Sequence, residues 1–241
     1  MLEVLIGFDQ REKRAWNVCA RSIIFHAKIP PPIRPLGIQT LGELYKRPTE
    51  KRDGRLFDVI SSAPMSTEFA IARFFTPIVG RERWVLFCDA DFMFRDDINK
   101  ILDFADSRFA VQVVKHNHVT TEEEKMDGQI QTNYPRKNWS SLMLWNMKHA
   151  GHKRIWLDDA NTKPGLWLHQ FSWLKDEEIG ELPPEWNWLE GIDENKHNAK
   201  GVHFTRGTPD MFQGQGRGLP IYSGAWFDYD HSTSLMTNYD A

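Results

Sequence analysis

Apolar residues fall along the chain in short unbroken runs that alternate with segments of helical spacing. Residues 4–8 (VLIGF) are the first run and end at Asp9. A run this short and continuous predicts a strand buried on both faces. Behind it Ala15, Val18, Cys19, Ser22, Ile23 and His26 recur at helical spacing, and Pro30, Pro31 and Pro32 stop the predicted helix. Residues 41–53 are polar and in parts basic, and are expected to form a surface excursion. Ser66 or Thr67 can cap a helix through Phe69, Ala70, Phe74 and Ile78, with Glu68 favourably placed in its first turn. Residues 84–88 (WVLFC) repeat the pattern of a strand buried on both faces. A helix over 97–104 and a strand over 109–114 follow. This alternation predicts an α/β fold with a mostly parallel central sheet flanked by helices.

The second half is less regular. The pattern predicts strands over 142–145 and 202–204 and a short helix over 166–174, just after Pro164. Residues 120–127 are acidic and read as a solvated loop. The tail over 214–224 is glycine-rich, with no helix expected behind it. No repeat, low-complexity segment or clean linker interrupts the pattern, so one domain over 1–241 is the simplest organisation.

Composition narrows the function classes. With 241 residues and 41% hydrophobic content, one sizeable core is affordable. Thirty basic against 33 acidic residues leave a formal charge of -3, which argues against a nucleic-acid partner. The two cysteines, Cys19 and Cys88, lie far apart without a CxxC; that excludes a disulfide framework or cysteine-built zinc site and fits a reducing cytoplasm. The first apolar run is too short for a signal peptide, and no stretch approaches the roughly 20 apolar residues of a membrane span. A cytoplasmic chain without a transmembrane segment is therefore expected. Ten tryptophans and fifteen phenylalanines read mainly as core, with stacking under sugar rings as a second use.

The strongest chemical signal is Asp89 and Asp91, two apart directly after the run 84–88. In extended chain, residues i and i+2 face one side, roughly 6.6 Å apart. Two carboxylates so placed at the carboxyl end of a central strand repel unless a cation lies between them. The crevice at that end is also where open α/β sheets bind ligands. A hard divalent ion, Mn²⁺ or Mg²⁺, suits oxygen ligands and can bridge to a diphosphate. One pair of unit charges at 4 Å is worth only about 4 kcal/mol at an effective dielectric near 20, and a divalent ion against a diphosphate multiplies it.

With Arg73 in the preceding helix, this strand and DxD resemble the GT-A (Rossmann-like) nucleotide-diphospho-sugar transferases, in particular glycosyltransferase family 8. Further short motifs follow in that family's order: Asn138-Trp139-Ser140-Ser141-Leu142-Met143, His169-Gln170 and Val202-His203-Phe204-Thr205. Ile6-Gly7-Phe8-Asp9 is similar to its nucleoside-binding start. The resemblance implies a retaining, metal-dependent transfer of a sugar from a nucleotide-diphosphate sugar, a uridine one, to an acceptor such as a glycan, a lipid-linked glycan or a protein. It implies Asp89, Asp91 and His203 as metal ligands and Gln170 beside the anomeric carbon. Arg73 pairs with the aspartates or donor oxygens, and Asp9 accepts from the nucleobase. The family's late lysine on the phosphates is absent; Arg206 or Arg217 is left to supply that charge. The family's glycine near Ser140 is a serine, and its aspartate before the glutamine is His169, which leaves the sugar pocket open.

Two other readings compete. A haloacid-dehalogenase-type phosphatase also sets a DxD after an apolar strand, but near the N-terminus and without the Phe92 and Met93 that follow here. A catalytically silent nucleotide- or sugar-binding protein would keep the fold without turnover. The sequence Gly214-Gln215-Gly216-Arg217-Gly218 precedes Leu219-Pro220 rather than a helix and reads as a loop, and His116 and His118 lack further ligands.

Overall fold

A computed structural model describes residues 1–116, 136, 139–193, 198–212 and 218–232. The acidic stretch 120–127, His118, Asn138, Gly214, Gly216 and Arg217 lie outside the described residues. Twelve strands are described: β1 (Leu2–Gly7), β2 (Ile33–Leu36), β3 (Thr49–Arg52), β4 (Arg55–Asp58), β5 (Ala63–Met65), β6 (Trp84–Cys88), β7 (Phe92–Phe94), β8 (Val111–Val113), β9 (Leu142–Asn146), β10 (Ile179–Glu181), β11 (Trp188–Leu189) and β12 (Gly201–His203). Six form the central sheet in the order β10-β8-β9-β6-β1-β2. Its pairs are parallel except where β9 runs against β6 and β8. A mostly parallel sheet flanked by helices is therefore present, as the alternation predicted.

The continuous apolar runs explain where these strands sit. In β6, Val85 and Phe87 enter one core cluster while Trp84, Leu86 and Cys88 enter the other. Successive side chains point to opposite faces, so a strand covered on both sides has no polar position to spare. Helix α1 (Lys13–His26) covers one face through Cys19, Ala20 and Ile23. The polar member of its stripe, Ser22, is buried because its hydroxyl accepts from the Phe94 amide at 3.0 Å and donates to the Cys19 carbonyl. Cys19 and Cys88 are free thiols whose sulfurs lie 3.9 Å apart in the core. The tryptophans are mostly structural: Trp145, Trp186 and Trp226 are fully buried.

Residues 41–53 lie mostly at the surface, as expected, and their β3 opens an antiparallel sheet completed by β4 and β5, while three other expectations are corrected. Within that stretch Arg47 is buried, forked onto Asp58 at 2.7 Å by Nε and Nη2 and donating to the Lys163 carbonyl. Neither Ser66 nor Thr67 caps the next helix through its side chain; the segment 69–79 instead opens at Glu68 and passes through a 3-10 turn at Arg73–Phe75. The predicted helix over 97–104 is a 3-10 segment, Ile98–Phe104, with Asp97 accepting from the Asn99 amide. Lastly, a helix (Ser223–His231) does follow the glycine-rich tail. Its sequence has little helical periodicity. Trp226 buries against α1, Arg14 pairs with Asp230, and Arg21 donates to the Tyr229 and Asp230 carbonyls at the helix end.

Candidate active site

β6 ends at Cys88, so Asp89 and Asp91 stand at the carboxyl edge of the central sheet. The Asp89 amide donates to the Ser141 carbonyl, fixing the turn against the start of β9. The chain re-enters extended structure as β7, which pairs antiparallel with β12 in a register that sets His203 opposite Phe92. The Phe204 amide donates to the Asp91 carbonyl at 3.0 Å. That pairing carries an imidazole more than a hundred residues away to the DxD turn.

His203 Nε2 lies 3.4 Å from Asp91 Oδ1, and single ligand atoms of Asp89, Asp91 and His203 all fall within 4.8 Å of one another. The imidazole stacks on Phe92 with ring centres 4.5 Å apart. Its Nδ1 meets Asn187 Oδ1 at 3.1 Å, while Asn187 Nδ2 donates to Ser141 Oγ. An oxygen facing Nδ1 requires a proton there, so Nε2, which faces Asp91, is the nitrogen left to ligate an ion. Asp91 Oδ1 is buried without a hydrogen-bond partner among the described residues. Two carboxylates, a lone pair of the right tautomer and one orphaned oxygen fit a single divalent cation.

Arg73 joins this cluster from below. Its Nη1 lies 2.8 Å from Asp89 Oδ1 and donates to the Ser140 carbonyl, and the side chain is buried between the rings of Phe69 and Phe87. Burial nevertheless pushes the Asp89 carboxyl up to about 6; Arg73 opposes that rise and Asp91 adds to it. Half-buried Glu12, just ahead of α1, is pushed up to about 8 by burial and then by the charges of Asp91, Asp9 and Asp89. No sequence signal singled out Glu12 or Asn187, since each becomes notable only through residues distant in the chain.

The other expected residues surround this centre. Asp9 is buried at the tip of β1, where Oδ1 accepts from the Arg11 amide and Oδ2 from Arg11 Nη2 and the Glu68 amide. Burial alone would raise its carboxyl, but these bonds hold it below the ordinary range. Gln170 follows the short helix Gly165–His169, which is shorter than the stretch 166–174 expected. The neighbouring His169 Nδ1 lies 2.8 Å from Ser140 Oγ. The Asp89–Arg73–Ser140–His169 contacts thus lead from the carboxylates to Gln170. Arg206 is exposed, three residues past His203, with its guanidinium laid over Gly191. Gly191 has φ +73°, a left-handed conformation that favours glycine, and the Arg206 side chain packs over it.

No protein-family model matches the chain. Protein CDI of Arabidopsis thaliana is 39% identical over 212 residues, covering 86% of this chain and 78% of that protein. Among solved structures, the bifunctional glycosyltransferase WbbM in its apo form matches 97% of this chain with a TM-score of 0.61 at 16% identity. The glycosyltransferase GlyE of Streptococcus pneumoniae TIGR4 matches 95% with a TM-score of 0.58 at 15% identity. The chain spans 50% of the length of WbbM and 60% of that of GlyE. The galactosyltransferase LgtC, solved with donor and acceptor sugar analogs, matches over 95% of each chain with a TM-score of 0.56 at 14% identity. These likenesses give the chain a GT-A-like fold.

Proposed function

The chain belongs to the family of Arabidopsis thaliana Protein CDI and has a GT-A-like fold, and on that premise we propose that it is a metal-dependent glycosyltransferase using a nucleotide-diphosphate sugar. The observation that carries this reading is the compact Asp89–Asp91–His203 cluster at the carboxyl edge of the sheet. The finer reading is a retaining, family-8-like hexosyl transfer from a uridine-diphosphate sugar, with Mn²⁺ or Mg²⁺ as the ion, within one domain over 1–241. The acceptor is a glycan, a lipid-linked glycan or a protein.

A divalent ion held by these three side chains supplies Lewis-acid neutralisation of the charge that develops on the leaving diphosphate. Asn187 presents His203 in the required tautomer. Arg73 offsets part of the Asp89 charge and fixes its direction. Arg206, seated on Gly191, supplies the cation for the phosphates that the missing lysine would otherwise give. Gln170, whose side-chain amide makes no hydrogen bond among the described residues, stands at the sugar end, and Asp9 organises the nucleoside end.

The test is release of nucleoside diphosphate from a panel of nucleotide sugars, with Mn²⁺ or with chelator, for the parent chain and Asp91→Ala. Release should require the ion and fall about a thousandfold in the variant, a change of roughly 4 kcal/mol in barrier. Activity indifferent to both would falsify the mechanism. Donor binding without turnover over a broad acceptor panel would instead leave a silent binding protein.

A further inference from the structure

Gln170 sits in a turn held from every side. Its amide donates to the Leu166 carbonyl at 3.0 Å, closing the helix Gly165–His169, and the Phe171 amide donates to the Leu168 carbonyl at 2.9 Å. His169 before it is tied to Ser140 Oγ and meets the Phe74 ring edge-on, with centres 4.9 Å apart. Phe171 after it has φ +51°. Asp53, Ser62 and Arg136 also have positive φ among the described residues, but Phe171 is the one that is both bulky and fully buried. Left-handed backbone is costly for a large side chain and persists where the surroundings over-determine it, which is common beside functional groups. Here the ring is enclosed by Phe74, Trp145 and Trp173, at centre distances of 6.2, 6.0 and 5.7 Å.

A guanidinium completes the turn from outside. Arg136 Nη1 donates to the Gln170 carbonyl, and Nη2 pairs with Asp176 Oδ1. The group lies over the Trp139 ring, 5.5 Å from its centre, on the segment that runs through Ser140 into β9. Asp176 is 89% exposed, so the ion pair adds little stability of its own. Its consequence is direction: a planar fork held by a carboxylate and a ring fixes where the Gln170 carbonyl points. The Gln170 amide, carbonyl and both neighbours are thus held, while its carboxamide makes no hydrogen bond among the described residues. We infer that Arg136 is a positioning residue for Gln170, aiming that carboxamide at the sugar end of the crevice without itself meeting the donor. This rests on the nucleotide-sugar reading, in which Gln170 stands at that end. A carboxamide with no bond inside the protein is placed by its backbone alone, and a small misplacement of a group at a reacting centre is costly.

The experiment is a double-mutant cycle on Arg136 and Gln170 in the full chain. It is read as UDP release, with Mn²⁺ present, from UDP-glucose, UDP-galactose and UDP-N-acetylglucosamine. Arg136→Ala should lower kcat about tenfold, while KM for the nucleotide sugar and calorimetric UDP affinity stay within about threefold. In a Gln170→Ala background the same substitution should change kcat by less than about twofold, because residues that act as a unit are not additive. Arg136→Lys keeps the charge and loses the fork, so its kcat should fall between parent and Arg136→Ala; it carries the same cycle if the alanine variant does not fold. A merely structural Arg136 would slow both backgrounds by the same factor and lower the melting temperature. Equal factors in the two backgrounds, an unchanged kcat, or a loss seen in KM alone overturns the positioning role and leaves the nucleotide-sugar reading standing. Gln170→Ala turning over as fast as the parent overturns it together with the sugar-end place of Gln170. Release of UDP from none of the three donors overturns it together with the nucleotide-sugar reading.

Discussion

Two neighbouring parallel strands end in aspartate, and the chain treats the two ends in opposite ways. At the tip of β1, Asp9 is enclosed by Arg11 and the Glu68 amide, and its carboxyl is held below the ordinary range against the burial that would raise it. At the tip of β6, Asp89 and Asp91 stand together with Arg73 and the His203 imidazole, and burial leaves Asp89 raised to about 6. The first end is electrostatically complete within the protein. The second is short of positive charge, which is the condition a bound cation relieves. The same residue type thus has its oxygens satisfied in one place and left short of partners in the other, and the difference lies in the company each keeps.

The sharpest way to break this contrast is at the imidazole's support. Asn187→Ala removes the oxygen that fixes the His203 tautomer, and Mn²⁺ affinity measured by calorimetry should fall about 10- to 100-fold. An affinity unchanged by that substitution would remove His203 from the metal set. A smaller effect is expected at the other end. Asp9→Ala deletes the cap of the Gln10–Glu12 turn and leaves Arg11 without its partner. Denaturant unfolding should lose about 2 kcal/mol with or without Mn²⁺. A loss appearing only in the metal-loaded protein would make Asp9 part of the ion site.

Titration sharpens the comparison last. Asp89 and Glu12 are both raised in the folded chain, so the stability tied to them is full at pH values below their ordinary range. It is lost as pH climbs through about 6 for Asp89 and about 8 for Glu12. Asp9 is lowered, so its contribution is present above its ordinary value and is lost only as pH falls through its depressed one. The Mn²⁺-induced rise in melting temperature should therefore be several degrees larger at pH 8 than at pH 5.5. Asp91→Asn, which removes one of the mutually repelling charges, should raise the metal-free melting temperature at pH 8. A Mn²⁺ effect that does not grow with pH would show that the β6 tip is not short of positive charge.

Much of this was legible in the sequence. Among the described residues no helix is long and apolar enough to cross a membrane. The runs at β1 and β6, the stripe of α1 and the DxD at a strand end follow from local chemistry, because an unbroken apolar run has only a buried place to go. The broken helix at 69–79, the sheet built from 49–65 and the helix at Ser223–His231 were not legible. Remote partners hold such segments in place: the Lys163 carbonyl for Arg47, and α1 for Trp226. Propensity is a weak guide when tertiary contact supplies the energy.

The sequence by itself determined that two carboxylates would stand together at the edge of a buried strand, since period and polarity are local properties. Only the tertiary structure decided that β12 would bring His203 beside them, that Asn187 would set its proton, and that Arg11 would take up the hydrogen-bonding capacity of Asp9. Register between strands a hundred residues apart is fixed by the packing of both faces at once, and no single segment of the chain encodes it.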